Sequence, residues 1–214
     1  MNLALFPEHV GPLRGLDDGR EALDAYWTPP TCAVACCEAI RAAGVAKVPA
    51  LLEPAVGGGA WVDAARKVWP KVYVAACDID PEAPGLRRAD VAQVTDFTAS
   101  SWVDAGRYSL VLGNPPYGDG IVRWFDRALD LAPNVAFLLR GTILGSAERM
   151  PWWEAHPPSD VWVLSPRPQW GGPGARSTTD TVDSLLVLWR QPPRAQHGRR
   201  DVVETRLRWL RWGR

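Results

Sequence analysis

The 214-residue chain has little cysteine and no net charge. Its four cysteines are Cys32, Cys36, Cys37 and Cys77. The first three fall on an expected helix, and Cys32-x3-Cys36-Cys37 is not a zinc spacing. They suit buried, reduced thiols of a cytoplasmic protein, and no metal is expected. Lysine and arginine (24) balance aspartate and glutamate (24), so no global field draws the chain toward nucleic acid. No apolar run is long enough to span a bilayer, so no membrane partner is expected. The N-terminus, Met1 to Pro7, lacks the basic and apolar regions of a signal peptide. Repeats and low-complexity blocks are absent as well. Tryptophan is abundant at twelve residues, and most are expected in the core or scattered over the surface.

The stretch that organises the rest is Val111-Leu112-Gly113-Asn114-Pro115-Pro116-Tyr117-Gly118. An apolar strand from Tyr108 to Leu112 breaks into Asn-Pro-Pro-Tyr. Two prolines fix φ and cannot donate backbone hydrogen bonds. Pro115 also pushes Asn114 away from helical geometry. The chain therefore leaves the strand stiff and extended. Asn114 carries a side-chain acceptor and an amide donor, Pro115 a carbonyl, and Tyr117 a flat apolar face. Together they can clamp a planar group bearing an NH2. A plain proline-rich turn after a strand is the competing reading of the same residues.

Other segments follow in order. In Tyr26-Trp27-Thr28-Pro29-Pro30, Thr28 reads as an N-cap and Pro29 as the first helical residue. The helix should run to about residues 41–43 and stop at Gly44. Val48–Leu52 reads as a strand ending in Glu53-Pro54-Ala55-Val56-Gly57-Gly58-Gly59, with a helix following through Val68. Glycines there let the backbone approach a ligand. No Gly-Lys-Ser/Thr follows, so this is not a P-loop. Val72–Cys77 is a second strand, and Asp78 lies 19 residues beyond Gly59 (78 − 59). That offset suits an acid accepting from both hydroxyls of a ribose, with Ile79 against the adjoining ring. A third strand, Val91–Val94, ends in Thr95-Asp96-Phe97, which a surface turn would equally explain. A helix over 119–131, strands over 134–140, 161–164 and 185–189, and a short helix over 146–155 complete the pattern. Trp170 sits in a Gly/Pro-rich loop. From Arg190 on, eight arginines face Asp201 and Glu204, a local +6 (8 − 2). That end reads either as a phosphate-binding tail or as a solvated terminal helix with Trp209 and Trp212 tucked in.

The strand–NPPY–Gly element resembles the motif of amino-methyltransferases that use S-adenosylmethionine, among them adenine-N6 DNA methyltransferases, some RNA adenine methyltransferases and release-factor glutamine methyltransferases. The resemblance covers roughly residues 26–190. It implies S-adenosylmethionine as cofactor and assigns roles by position. Tyr26, Thr28 and Pro29 would touch its methionine end. Glu53 would sit near its sulfonium or amino group, with Ala55, Gly57 and Gly59 forming its loop. Asp78 would hold the ribose, Ile79 and Phe97 the adenine ring, and Asp96 its exocyclic amine. Asn114, Pro115, Pro116 and Tyr117 would be catalytic, with Asn114 also beside the cofactor. Tyr117 and Trp170 would take the two faces of the target base. Cytosine-C5 methylation would need a Pro-Cys nucleophile, and the chain has none.

The expectation is an α/β, Rossmann-like class I methyltransferase fold with a mostly parallel seven-stranded sheet and helices on both faces. The segments expected are an arm (1–24), a catalytic domain (25–190) and a basic tail (191–214). The expected function is methyl transfer to the N6 amine of adenine in DNA, with base flipping into the clamp. RNA adenine or protein glutamine is the alternative substrate, and a non-catalytic cofactor-binding subunit is a third reading. The expected partner is nucleic acid, in the form of duplex DNA, and the expected location is the cytoplasm.

Overall fold

The computed structural model describes residues 26–105, 107–118, 120–171, 182–190 and 204–213. The arm over 1–24 and most of the segment after Arg190 lie outside those residues. In chain order the described elements are α1 (Pro30–Ala42), β1 (Ala50–Glu53), α2 (Ala60–Val68), β2 (Tyr73–Asp78), β3 (Val91–Val94), β4 (Leu110–Gly113), α3 (Ile121–Leu131), β5 (Asn134–Arg140), α4 (Met150–Ala155), β6 (Asp160–Ser165), β7 (Ser184–Arg190) and β8 (Arg206–Arg211).

The strands form one sheet in the order β3-β2-β1-β4-β5-β7-β6-β8. All neighbours are parallel except β7, which runs antiparallel to both β5 and β6. This is a Rossmann-like, doubly wound sheet with one strand more than the seven expected. Its central strands are short and buried on both faces, as parallel strands covered by helices must be. Alternation sorts their side chains cleanly. Leu51, Leu110, Leu112, Ala136, Leu138, Leu186 and Leu188 join the layer under α1 and α2. Leu52, Val111, Val135, Phe137, Leu139, Leu185 and Val187 join the layer that holds Phe125 and Ala128 of α3. Burying each such leucine stabilises the fold by about 1.5–3 kcal/mol.

α1 begins one residue later than expected. Pro29 takes the cap position and Pro30 the first helical one, with no side-chain cap. Thr28 is buried, and its hydroxyl accepts a hydrogen bond from Trp61 Nε1 at 3.1 Å. The hydroxyl therefore ties α1 to α2 instead of closing the helix end. Cys32, Cys36, Cys37 and Ile40 form the sheet-facing stripe of α1, and the cysteines are free thiols.

The larger departure is β8, where a terminal helix was one of the two expectations. The run Arg206-Leu207-Arg208-Trp209-Leu210 alternates at the period of a strand. It pairs in parallel with β6 from Asp160↔Arg206 to Ser165↔Arg211. Asp160, fully buried at the start of β6, supplies the attraction. Arg190 Nη2 and Arg206 Nη2 each donate to its Oδ2 at 3.2 Å, and Arg208 Nη2 lies 3.5 Å from its Oδ1. Three arginines of the basic end are thus engaged with an internal carboxylate. Trp212 closes the far end, its indole donating to the Pro166 carbonyl at 2.7 Å.

One buried charge shared by three partners makes Asp160 the sensitive member of this cluster. Asp160→Ala should lower stability by about 1–3 kcal/mol. That is less than the about 3–5 kcal/mol for orphaning a fully buried ion, because the three arginines are 31–49% exposed and can rehydrate. Arg206→Gln should cost less, since Arg190 and Arg208 remain. Thermal melts of both variants check this order, and a melt of Asp160→Ala matching wild type would refute the anchoring role.

Candidate functional site

β1 and β4 lie side by side and parallel, yet their chains leave in opposite directions, to β2 on one flank and to β5 on the other. Such a reversal opens a crevice at the carboxyl ends of the two strands. Glu53 ends β1 and Gly113 ends β4. Glu53 is fully buried, and neither carboxyl oxygen has a hydrogen-bond partner among the described residues. A side chain at position 113 would place its Cβ 3.1 Å from Glu53 Oε1. Glycine at the end of β4 thus makes room for the carboxyl at the end of β1. Burial pushes the Glu53 carboxyl well above the usual range, and the nearby Asp78 carboxylate adds to the shift.

The loop after β1 turns on left-handed glycines, Gly57 (φ +44°) and Gly59 (φ +81°). They serve different contacts. A Cβ on Gly59 would come within 2.9 Å of Gly85 Cα, so that glycine allows two backbones to close-pack. A Cβ on Gly57 or Gly58 would meet the Trp27 ring at 3.0 or 2.8 Å. Trp27 itself is pinned by paired backbone hydrogen bonds with Gly171, 2.9 and 3.0 Å long. Asp78, at the end of β2, holds the loop from beneath. Its Oδ2 accepts from the Gly57 amide at 2.8 Å and its Oδ1 from the Asp80 amide at 3.0 Å. Each oxygen keeps a second lone pair for a ligand hydroxyl. Burial raises the Asp78 pKa, partly offset by these amide donors.

Asn114 stands one residue past β4. Its Nδ2 donates to the Tyr26 carbonyl at 3.0 Å, and its Oδ1 accepts from the Tyr117 hydroxyl at 2.8 Å. A carbonyl can only accept, so Tyr26 decides which way the amide points and leaves Oδ1 toward Tyr117. The Tyr26 and Tyr117 rings are 6.4 Å apart and tilted by 46°. Above both lies the guanidinium of Arg140, the last residue of β5, 5.0 Å from the Tyr117 centroid and 5.6 Å from that of Tyr26.

Tyr26, Thr28, Ala55, Gly57 and Asn114 line one small cleft, together with Trp27, Val56, Gly58, Ala60 and Trp61. Pro29 follows Thr28 directly, Pro115 is buried behind Asn114, and Pro116 is exposed. Ile79 is 39% exposed beside Asp78, open to a ring. Three expected contacts are placed differently. Phe97 is 1% exposed and packs on Trp124 with centroids 4.8 Å apart, so it braces the wall from inside and offers no free face. Asp96 spends Oδ1 on the Thr98 amide and hydroxyl, both at 2.8 Å, closing a turn. Trp170 is nearly buried and meets Tyr26 edge-on at 6.2 Å, so little of its ring is open to a base. Sequence reasoning missed Trp27, Trp61 and Arg140. The Gly-Gly pair that Trp27 covers was visible, but its partner was not. Among the described residues no cluster of histidine, cysteine or acidic side chains could hold a metal ion, and no helix is long and apolar enough to cross a membrane.

No protein-family model matches the chain, and no curated protein matches its sequence. Solved structures do match its shape. A Pyrococcus horikoshii protein provisionally described as an RNA methyltransferase superposes with a TM-score of 0.60 at 15% identity, over 84% of this chain and 93% of that one. The methyltransferase subunit of a Streptococcus thermophilus type I restriction-modification system gives 0.61 at 15% identity, over 81% of this chain but 46% of the other. The N-terminal domain of EvdMO1 with S-adenosylhomocysteine bound gives 0.52 at 15% identity, over 78% and 83%. The likeness is one of fold: the chain has the class I methyltransferase architecture.

The carboxyls of Glu53 and Asp78 set a pH dependence with a definite sign. Both hold their protons more tightly in the folded protein than in the unfolded chain. Their contribution to stability is therefore complete below the ordinary carboxylate pKa of about 4. It is lost as pH rises from there through the raised folded values. Melting temperature should fall as pH rises above the ordinary carboxylate range, and Glu53→Gln should fall less steeply, because of the two carboxyls only Asp78 then holds its proton more tightly in the folded protein. Identical pH slopes for the two proteins would mean that Glu53 does not carry the shift.

Proposed function

We propose that this protein is an S-adenosylmethionine-dependent methyltransferase that methylates the exocyclic N6 amine of adenine in DNA. The observation that carries the reading is Asn114 at the carboxyl end of β4, its amide oriented by the Tyr26 carbonyl and its oxygen beside Tyr117. A cationic cofactor fits the crevice because Glu53 is a buried carboxyl without a hydrogen-bond partner among the described residues. A positive group placed there would favour its ionised form. Asp78 would accept from the ribose hydroxyls, and Ile79 would lie against the adenine. The cofactor supplies an electrophilic methyl group on its sulfonium.

The chain's own residues make the amine reactive. An exocyclic adenine nitrogen is a weak nucleophile because its lone pair is delocalised into the ring. Asn114 Oδ1 and the Pro115 carbonyl accept its two N–H bonds. That would bias the nitrogen toward tetrahedral geometry and free the lone pair to form the N–C bond as the methyl's C–S bond breaks and a neutral thioether is left, and the excess N–H proton would pass to solvent. Tyr117 stacks on the base, a contact worth about 1–3 kcal/mol by analogy with other base–aromatic pairs. To admit the base, the Tyr117 hydroxyl must release Asn114 Oδ1. A duplex target has to be flipped out to reach this depth.

The similar structures include proteins described as acting on RNA and as part of a restriction-modification system, which supports a nucleic-acid substrate. Asn114→Ala should lower methyl transfer by about 10²- to 10³-fold, by analogy with removing one hydrogen-bonding group from a transition state. Its cofactor affinity should stay within a few fold. Asp78→Ala should weaken cofactor binding by about 1.5–3 kcal/mol through lost charge-assisted hydrogen bonds. The test is tritiated methyl transfer onto DNA, RNA and protein pools, with digestion to nucleosides and amino acids. Label in N6-methyladenine of DNA is expected. Label confined to RNA or to N5-methylglutamine would overturn the DNA reading.

A further inference from the structure

We propose that β8 is a second nucleic-acid contact of this protein, with Trp209 stacking on an unpaired base and Arg211 meeting a phosphate of the same strand; the inference rests on the nucleic-acid reading above. β8 is the last strand of the sheet, so one of its edges is unpaired among the described residues. Its alternation sends side chains to two different surroundings. Leu210, and Trp212 just past the strand, pack against the layer of α1 and α2, and the Arg208 guanidinium lies 5.7 Å from the centre of the Trp162 ring. Leu207, Trp209 and Arg211 therefore project from the opposite face. There Leu207 is 58% exposed and Trp209 71%. The Trp209 ring has no aromatic partner, and its indole N–H no acceptor, among the described residues. Arg211 is exposed, and its guanidinium has no ion-pair partner among the described residues.

Charge decides what this face takes. Charged side chains on an edge strand guard it against pairing with another chain, but a guarded edge does not need an exposed leucine and tryptophan. The six residues of β8 hold three arginines and no acid. At the start of the strand Arg190, Arg206 and Arg208 share the single carboxylate of Asp160, a local excess of +2 (3 − 1). Antiparallel pairing with a second copy would set arginines against arginines, which is unfavourable. A polyanion meets the same charges with the opposite sign, and a base brings the flat face on which an exposed indole stacks. Strand direction adds a position. β6 and β5 both run antiparallel to β7, and β8 is parallel to β6, so β8 points the same way as β5 and β4. Arg211 therefore ends β8 on the side of the sheet where Asn114 follows β4. Four strand spacings separate them, about 19 Å at about 4.8 Å each. A strand with its adenine in the clamp can cross that edge to β8.

The test uses a fluorescein-labelled single strand of thymidines, whose bases carry no exocyclic amine for the Asn114 clamp to hold. Anisotropy gives its affinity for wild type, Trp209→Leu, Trp209→Phe and Arg211→Gln over a range of salt. Trp209→Leu should bind about 5- to 100-fold more weakly, the range of one base–aromatic stack. Trp209→Phe should fall between, because it keeps a smaller stacking face. An abasic strand keeps the phosphates without the bases, and Trp209→Leu should bind it as wild type does, which also shows that the variant is folded. Arg211→Gln should flatten the slope of log affinity against log salt by about 0.7, one phosphate contact on a single strand. On a strand carrying one adenine, the Trp209→Leu loss should appear in KM and leave kcat unchanged. A wild type that does not bind the thymidine strand overturns the proposal, as does a Trp209→Leu protein that binds it equally well. A wild-type dimer that Trp209→Leu abolishes gives the face to a second copy, and Trp209-dependent binding of oligoglutamate in place of the strand gives it to an acidic protein; either result overturns the proposal. Label confined to protein glutamine, with no strand bound, sinks the reading above and this inference together. Adenine labelling with strand binding unchanged in Trp209→Leu sinks this inference alone.

Discussion

The structure depends on the reversal of strand order between β1 and β4. The two parallel strands pair over Leu51↔Leu110 and Leu52↔Val111, and their chains go to opposite flanks, to β2 and to β5. Their carboxyl ends flank the crevice that such a reversal opens. Glu53 and Gly113 are those ends, and their chemistry is complementary. One brings a carboxyl with no hydrogen-bond partner among the described residues, and the other withholds a side chain so that the carboxyl has room. A buried ionisable group in this position destabilises the fold unless it is protonated or meets a cation. The site is thus visible as a local cost that a ligand of the right charge would remove.

From that gap outward, the parts support one another in sequence. Asp78 fixes the glycine loop through the Gly57 amide. The loop in turn gives the Trp27 ring its bed, since Gly57 and Gly58 are the positions where any Cβ would collide with it. Trp27 is held to Gly171 by two backbone hydrogen bonds, and its neighbour Tyr26 presents a carbonyl to Asn114. Residues 26–29, the described residues before α1, therefore connect the loop of β1 with the segment after β4. Thr28 completes the link by accepting from Trp61 on α2.

Much of this was legible from the residues. Alternation and breakers located the edge strand β3 and the buried β5 to the residue, and β1, β2, β4, β6 and β7 to within two residues, the buried ones because such strands leave a dense apolar signature. The NPPY turn was legible for a different reason: few sequences stiffen a strand exit so strongly. The errors share one cause, which is that a single residue can satisfy two local rules. Thr28 is a good helix cap by type, but the buried indole of Trp61 outcompetes the helix end for its hydroxyl. Phe97 follows an acid at a strand end and looked like a ring platform, yet Trp124 takes it into the core. β8 was misread because arginines suggest a solvated surface, and nothing local reveals that Asp160 lies buried 46 residues earlier to receive Arg206. Long-range pairing of this kind lies beyond periodicity.

In the proposed clamp the polar partners of a half-buried amide carry more of the selectivity than shape does. Asn114 has both ends of its amide occupied, by the Tyr26 carbonyl and the Tyr117 hydroxyl. The first contact is a backbone group on a pinned segment and is fixed. The second is a side-chain hydroxyl on a stiff but exposed turn and can be exchanged. A substrate amine that displaces it replaces one hydrogen bond to Oδ1 with another, which is close to neutral in free energy. A planar ligand without an N–H at that point would strand the Asn114 oxygen, at a cost of about 1–3 kcal/mol. Discrimination therefore does not require a tight pocket. In the proposed reading it would follow from an acceptor that is already satisfied and gives up its partner only for another donor, while the ring that carried that partner would be freed to stack on the newcomer.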